Sequence, residues 1–182
     1  METSGVTPLC ELAKKYGTDK CVPHNYTPIY YQYLAGRIEN IRRVMEIGIA
    51  HGAKSLRMWE EFFPNAQIIG VDIDKRMQLN KGRVRSFVCD QTRDELRRLA
   101  EKEGNFDVIV EDGSHNHNHQ IAAMKSLLPF LEPGGIYFCE DIWVDVQSIA
   151  RNIPSGFTYR VYPSGRKYTD GKREHMMSVY RA

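Results

Sequence analysis

Residues 110–120 read VEDGSHNHNHQ, and residues 139–142 read CEDI. Together they hold Asp112, Glu140 and Asp141, and three of the chain's six histidines stand between His115 and His119. If the strands ending at these stretches are neighbours, the three carboxylates converge. Like charges that close are costly unless protonated or neutralised by a cation. Oxygen donors with no cysteine suit Mg²⁺, Mn²⁺ or Ca²⁺ better than zinc. The alternative is that Asp141 only caps a helix beginning at Ile142. An i, i+4 pair of His115 and His119 could hold zinc, but HEXXH carries a glutamate inside and this stretch does not. His115, just after a metal-ligating Asp112, is better placed to act as a base. Histidine is the side chain whose ordinary titration falls near working pH, and a cation beside it favours the neutral form. His119 is expected to orient His115 or simply to pack, and His117 to be a solvated bystander.

A second group of acids stands at the ends of other predicted strands. In MEIGIAHGAKS, Gly48 is followed by Ala50 and Ala53 with Gly52 out of place, so the dinucleotide pattern G-x-G-x-x-G/A fits poorly. Glu46 ends its strand in the same crevice, where a carboxylate repels a pyrophosphate and attracts a positively charged ligand. S-adenosylmethionine (SAM) carries an ammonium and a sulfonium, so Glu46 favours it. Asp72, followed by Ile73, ends the next strand, where a carboxylate can accept from both ribose hydroxyls; Asp74 is expected to assist. Asp90, with Gln91, ends the third, where the adenine of a nucleoside ligand would lie. Acids at strand ends also cap helices. Three of them in the same relation favour the nucleoside reading, because ligands of open α/β sheets bind outside those ends.

The elements that must position these residues alternate. Strands are predicted at Arg43–Ile47, Gln67–Val71, Val84–Cys89, Phe106–Val110 and Ile136–Glu140, with amphipathic helices between them. One helix carries Leu56, Trp59 and Phe63 on a face, the next Leu96, Leu99 and Ala100, and a third Ile121, Met124, Leu128 and Leu131. A last helix is expected over Ile142–Ile153. The tail breaks the alternation: FTYRVYP and HMMSVYRA read as two strands joined by SGRKYTDGKRE. The pattern predicts an α/β fold: a doubly wound, mostly parallel seven-stranded sheet ending in an antiparallel β-hairpin. Residues 1–40 form an N-terminal helical lid segment, with helices near Pro8–Tyr16 and Pro28–Ile38, and residues 41–182 the ligand-binding domain of one compact unit. Of the segment's tyrosines, Tyr30 and Tyr33 are expected as core.

Bulk numbers narrow the partners. The chain has 182 residues, 42% hydrophobic and 26% charged, with a net charge of +2. That charge is too small, and its basic residues too scattered, for nucleic acid. No apolar run reaches the ~18 residues of a membrane helix. The N-terminus lacks the charged start and apolar segment of a secretory signal. Cys10, Cys21, Cys89 and Cys139 form no CxxC pair, so reduced thiols in a cytoplasmic protein are expected.

EIGIAHG, GVDID, FDVIVEDGSHNHNHQ and LEPGGIYFCEDIW resemble the class I SAM-dependent methyltransferases, whose Rossmann-like sheet also closes with an antiparallel hairpin. More narrowly they resemble the metal-dependent sugar O-methyltransferases of the macrocin and mycinamicin type. KYGTDK and HNYTPIYYQYL are similar to that group's N-terminal segment, and the likeness spans roughly residues 12–145. It implies Asp112, Glu140 and Asp141 as metal ligands, with Mg²⁺ the expected ion, and His115 as general base. It implies Glu46, Gly48, Asp72 and Asp90 as SAM contacts, with Ala50, Ile73, Gln91 and Asp112 beside them and Thr18 and Asp19 near the pocket. Glu111 stands where a second aspartate is common. The expected function is O-methylation of a small natural-product acceptor, a sugar hydroxyl foremost. The alternatives are metal-independent methylation of another small acceptor, or a SAM- or nucleoside-binding module without catalysis; a dehydrogenase is more distant. A homodimer that completes the pocket is also expected.

Overall fold

The computed structural model describes residues 6–143, 145–167 and 173–181. Residues 1–5 of the expected lid segment and 168–172 of the expected hairpin loop lie outside them. A seven-stranded sheet runs in the order β3-β2-β1-β4-β5-β7-β6. Its strands are β1 (Arg43–Ile47), β2 (Gln67–Asp72), β3 (Val84–Val88), β4 (Phe106–Glu111), β5 (Leu131–Ile142), β6 (Phe157–Lys167) and β7 (Arg173–Arg181). Pairings from β3 through β5 are parallel, and β7 is antiparallel to both β5 and β6. Helices are α1 (Pro8–Tyr16), α2 (Thr27–Leu34), α3 (Lys54–Phe62), α4 (Asp94–Glu103), α5 (His117–Leu127) and α6 (Val146–Ala150). The strand order reverses between β1 and β4, which opens a crevice beyond their C-terminal ends. None of the helices is long and apolar enough to cross a membrane among the described residues.

The sheet's two faces follow from period-two alternation. Val44, Val108, Val110 and Phe138 face α1–α3, with Leu9, Tyr30 and Trp59. Met45, Ile109 and Tyr137 face α4–α6, with Leu96, Met124 and Ile149. Burying side chains of this size stabilises by roughly 1.5–3 kcal/mol each. Tyr30 meets Trp59 and Phe138 edge-on at 5.0 and 4.5 Å and is core as expected, whereas Tyr33 is half-buried and packs against the edge of that cluster. The same alternation sends Glu46 and Glu140 to the face covered by the N-terminal helices. Glu111 falls on the opposite face, beside Cys139.

Some boundaries differ from expectation. Helix α5 stops at Leu127 because Pro129 has no N–H to continue it, so Leu128 and Leu131 lie beyond it. It starts at His117, capped by Asn116, not near Ser114. The expected helix over Ile142–Ile153 shrinks to α6: Ile142 stays in β5 opposite His175, and Asp145 caps the helix. Asp141 is therefore not a helix cap. α2 ends at Leu34 and tightens into a 3-10 turn over Ala35–Asn40.

Candidate functional site

Three cavities meet at Gly48. The first, about 360 Å³, is lined by Ile47, Asp72, Ile73, Asp90, Gln91 and His119 among others. The second, about 380 Å³, runs past Thr18, Asp19, Lys20, Ala50 and Lys54. The third, about 250 Å³, is bounded by His24, Asp72, Asp112, His115, Glu140 and Asp141. Gly48 can stand at their junction because it has no side chain. Its φ is +88°, and a Cβ there would lie 1.9 Å from the Asp112 carbonyl oxygen.

The third cavity is an acid cluster held from behind by the N-terminal segment. Lys20 is only 1% exposed. Its Nζ donates to Asp112 Oδ2 at 2.7 Å and Glu140 Oε1 at 2.8 Å, and lies 3.0 Å from Glu46 Oε1. Burial alone would lower its pKa; Asp112, Glu140 and Glu46 outweigh that and hold it well above the usual lysine range. Burial raises the carboxyls of Glu46 and Glu140, an effect Lys20 opposes. Tyr30 Oη also donates to Glu140 Oε1. Tyr26 Oη donates to Asp141 Oδ1 at 2.7 Å, and burial raises the Asp141 carboxyl. His24 Nδ1 lies 2.5 Å from Glu174 Oε1 and 3.3 Å from Asp141 Oδ1. Burial opposes its charge, but Asp19, Asp141 and Glu174 raise its pKa to about 9.

His115 Nδ1 stands 3.5 Å from Asp141 Oδ2 and 3.9 Å from Asp112 Oδ1. Asp112, His115 and Asp141 offer ligand atoms that all lie within 4.8 Å of one another, as do His24, Asp141 and Glu174. Glu140 lines the same cavity, with Oε1 engaged by Lys20 and Tyr30. Backbone strain gathers here as well. Ala50, His115 and Asp141 all carry positive φ, at 55°, 55° and 51°, and all three line this cavity. Such conformations cost about 1–3 kcal/mol each and persist where the surroundings enforce them.

The first cavity's acids are partly spoken for. Asp72 Oδ2 accepts from the Ile49 and Ala50 amides at 2.9 and 3.4 Å, which ties β2 to the glycine turn. Asp90 Oδ1 accepts from Thr92 N and Oγ1, which lowers its carboxyl. Gln91 Nε2 donates to Glu111 Oε1 at 2.8 Å, and its Oε1 accepts from Ser114 N at 3.1 Å. Its amide is thus braced inward, toward a Glu111 carboxyl that burial raises.

The structure brings Asp112, His115, Glu140 and Asp141 together. It sets Thr18, Asp19, Gly48, Ala50, Asp72, Ile73, Asp90 and Gln91 around adjoining walls. Glu46 departs from expectation. It is fully buried between Lys20 and Trp59, whose Nε1 donates to it at 3.0 Å, so it stands behind the crevice wall with a cation already in front of it. Asp74 pairs with Arg76 and does not line these three cavities. His119 does not orient His115: its Nδ1 bonds Ser114 Oγ at 2.8 Å and it lines the first cavity. His117 is no solvated bystander, since its Nε2 bonds Ser148 Oγ at 3.1 Å and ties α5 to α6.

Lys20, His24, Tyr26 and Glu174 were not foreseen. The available signal was local: KYGTDKCVPHNY places a lysine, a histidine and a tyrosine just ahead of an apolar helix.

Residues 45–142 match a family model described as a methyltransferase domain. The mycinamicin VI 2''-O-methyltransferase of Micromonospora griseorubida is 38% identical over 143 residues, covering 74% of this chain and 36% of that protein. The 8-demethyl-8-alpha-L-rhamnosyl tetracenomycin-C 2'-O-methyltransferase of Streptomyces olivaceus is 38% identical over 141 residues, covering 74% and 37%. The solved MycE methyltransferase from the mycinamycin biosynthetic pathway, in complex with Mg and SAH, superposes with a TM-score of 0.80 at 27% identity. That match covers 97% of this chain and 55% of the other. The chain thus spans 36–37% of the length of these curated relatives.

Proposed function

The chain belongs to the methyltransferase domain family, and from that premise we propose that it transfers the methyl group of SAM to a hydroxyl of a small natural-product acceptor, a glycoside sugar foremost. The carrying observation is the junction at Gly48. A wall of strand-end acids, a polar channel and an acid–histidine cluster open onto one point, as a ligand with a nucleoside end, an amino-acid end and a reacting centre between them requires.

The first cavity suits the nucleoside. Asp72 accepts from the ribose hydroxyls, Asp90 and Gln91 flank the base, and Ile73 offers it an apolar edge. Thr18, Asp19 and Ala50 surround the amino-acid tail. Glu46 serves from behind, through Lys20, rather than by touching the ligand's ammonium. The third cavity suits a divalent cation, Mg²⁺ foremost: Asp112 and Asp141 present hard oxygens beside His115, and Glu140 borders the same space. Such a cation supplies Lewis acidity that lowers the pKa of the acceptor hydroxyl, and a vicinal diol suits it best. His115 takes the proton from that hydroxyl as the oxygen attacks the methyl carbon. Gly48, Asp112 and the strained loops around them keep donor and acceptor aligned, since in-line methyl transfer depends on proximity and orientation. The names of the relatives support an oxygen acceptor on a sugar, and the Mg and SAH of the MycE complex support the two ligands. A cytoplasmic setting and a homodimer belong to the same proposal, and analytical ultracentrifugation decides the second.

Tritium transfer from labelled SAM to glycosides, catechols and small acids, with and without EDTA, tests the reading. Label on glycosides that EDTA abolishes is expected. Transfer indifferent to EDTA would favour a metal-independent reaction. Tight SAM binding with no transfer to any acceptor would favour a binding module.

A further inference from the structure

Toward the cation Lys20 has no role in the chemistry just proposed, yet among the described residues it is the buried lysine. Its ammonium has three N–H donors, and three carboxylates from three neighbouring strands meet it: Glu46 in β1 as an ion pair, and Asp112 just after β4 and Glu140 in β5 as hydrogen-bond acceptors. The two oxygens of each cavity-facing aspartate divide their work. Asp112 gives Oδ2 to Lys20 and turns Oδ1 toward His115. Asp141 gives Oδ1 to Tyr26 and turns Oδ2 toward His115.

We propose that Lys20 is a positioning residue for the cation site: from the lid segment it fixes the rear oxygens of Asp112 and Glu140, so that the forward oxygens of the cluster stand in one arrangement beside His115. This rests on the functional reading above. Asp112 and Glu140 would otherwise repel and turn apart, and the forward oxygens would have no fixed separation. Gly17, which closes α1 in a left-handed conformation, delivers Lys20 to this spot. Because the lysine belongs to the lid segment, the segment's seating and the order of the cluster become one event. A guanidinium would not substitute: its planar fork cannot converge on three oxygens arranged around a point charge.

Mn²⁺ binding to the full chain, followed by electron paramagnetic resonance, tests the proposal, with SAH affinity measured by calorimetry on the same samples. Lys20→Met and Lys20→Arg are both expected to weaken Mn²⁺ binding at least tenfold, and by a larger factor than SAH binding, since Lys20 also lines the second cavity. Unchanged or tighter Mn²⁺ binding by Lys20→Met would mean that Lys20 acts only as a competing charge, and the proposal fails. Wild-type Mn²⁺ affinity in Lys20→Arg would overturn the geometric part, since charge alone would then suffice. Failure of the wild-type chain to bind Mn²⁺ would remove the cation reading itself, a different result from failure of the variants alone. If neither variant folds, the wild type still decides. In a ¹⁵N-lysine-labelled sample the buried ammonium gives a slowly exchanging Nζ–H signal, which must shift on Mg²⁺ addition; a signal unmoved at saturation overturns the proposal.

Discussion

Replacing Gly48 by alanine tests the junction on which the functional reading stands. The added Cβ would lie 1.9 Å from the Asp112 carbonyl oxygen and 2.6 Å from its carbon, where ordinary contact begins near 3.4 Å. The obstacle is backbone, so no side-chain rotation relieves it. Relief requires the turn and the β4 end to separate by about 1.5 Å, the difference between 3.4 and 1.9 Å. That motion breaks the bond from Asp112 N to Ile47 O, now 3.0 Å. The φ of +88° adds left-handed strain of about 1–2 kcal/mol for a residue with a Cβ. Overpacking adds about 1–3 kcal/mol. The expected loss of stability is therefore about 2–5 kcal/mol, read as a lower urea midpoint. A shift of more than 1 Å at Asp112 also misplaces the reacting groups, and about a 10²-fold loss of turnover should accompany it. SAH affinity by calorimetry should fall in parallel, because all three cavities share this residue. Gly36→Ala is the control: a Cβ there meets nothing within 4 Å, so its stability should stay within about 0.5 kcal/mol and its midpoint near that of the wild type. A Gly48→Ala protein with the control's midpoint and wild-type SAH affinity would refute the reasoning.

Other perturbations bear on single links. His115→Ala should lower turnover by about 10²–10⁴-fold with SAH affinity within threefold, and retained turnover would remove the base assignment. His24 has its pKa raised to about 9 from 6.5. Its charge therefore stabilises fully below pH 6.5, and the contribution fades as pH rises from 6.5 to 9, by about 3 kcal/mol at most. Thermal melts across that window should fall more steeply for the wild type than for His24→Gln; equal slopes would discount the ion cluster. Gln91→Ala removes a donor from the fully buried Glu111 and an acceptor from Ser114 N, at an expected cost of about 1–3 kcal/mol. A parallel fall in SAH affinity, measured by calorimetry, would mark the brace as part of the first cavity, whereas a stability loss alone would confine it to the fold.

Much of this molecule is legible along the chain. The β1, β4 and β5 ends carry their acids within a few residues of a β-branched run, so period-two alternation and a following glycine or helix mark them. The hairpin is legible for the same reason: two strand patterns stand with no helix between. Local rules also explain the misreadings. The pattern of apolar residues ran past Pro129, and Asp141 sat before an apolar run that turned out to belong partly to β5. Glu46 was correctly placed at a strand end, but alternation alone does not say what lies opposite. Only the tertiary structure brings Lys20 to Asp112 and Glu140, which are 92 and 120 residues away in the chain, and His24 to Glu174, 150 residues away. The sequence by itself determined which residues stand at the ends of which elements, because backbone periodicity is local. Which cation faces which carboxylate was decided by how the N-terminal segment lies against the sheet, because Coulomb and hydrogen-bond partners are chosen by distance in space.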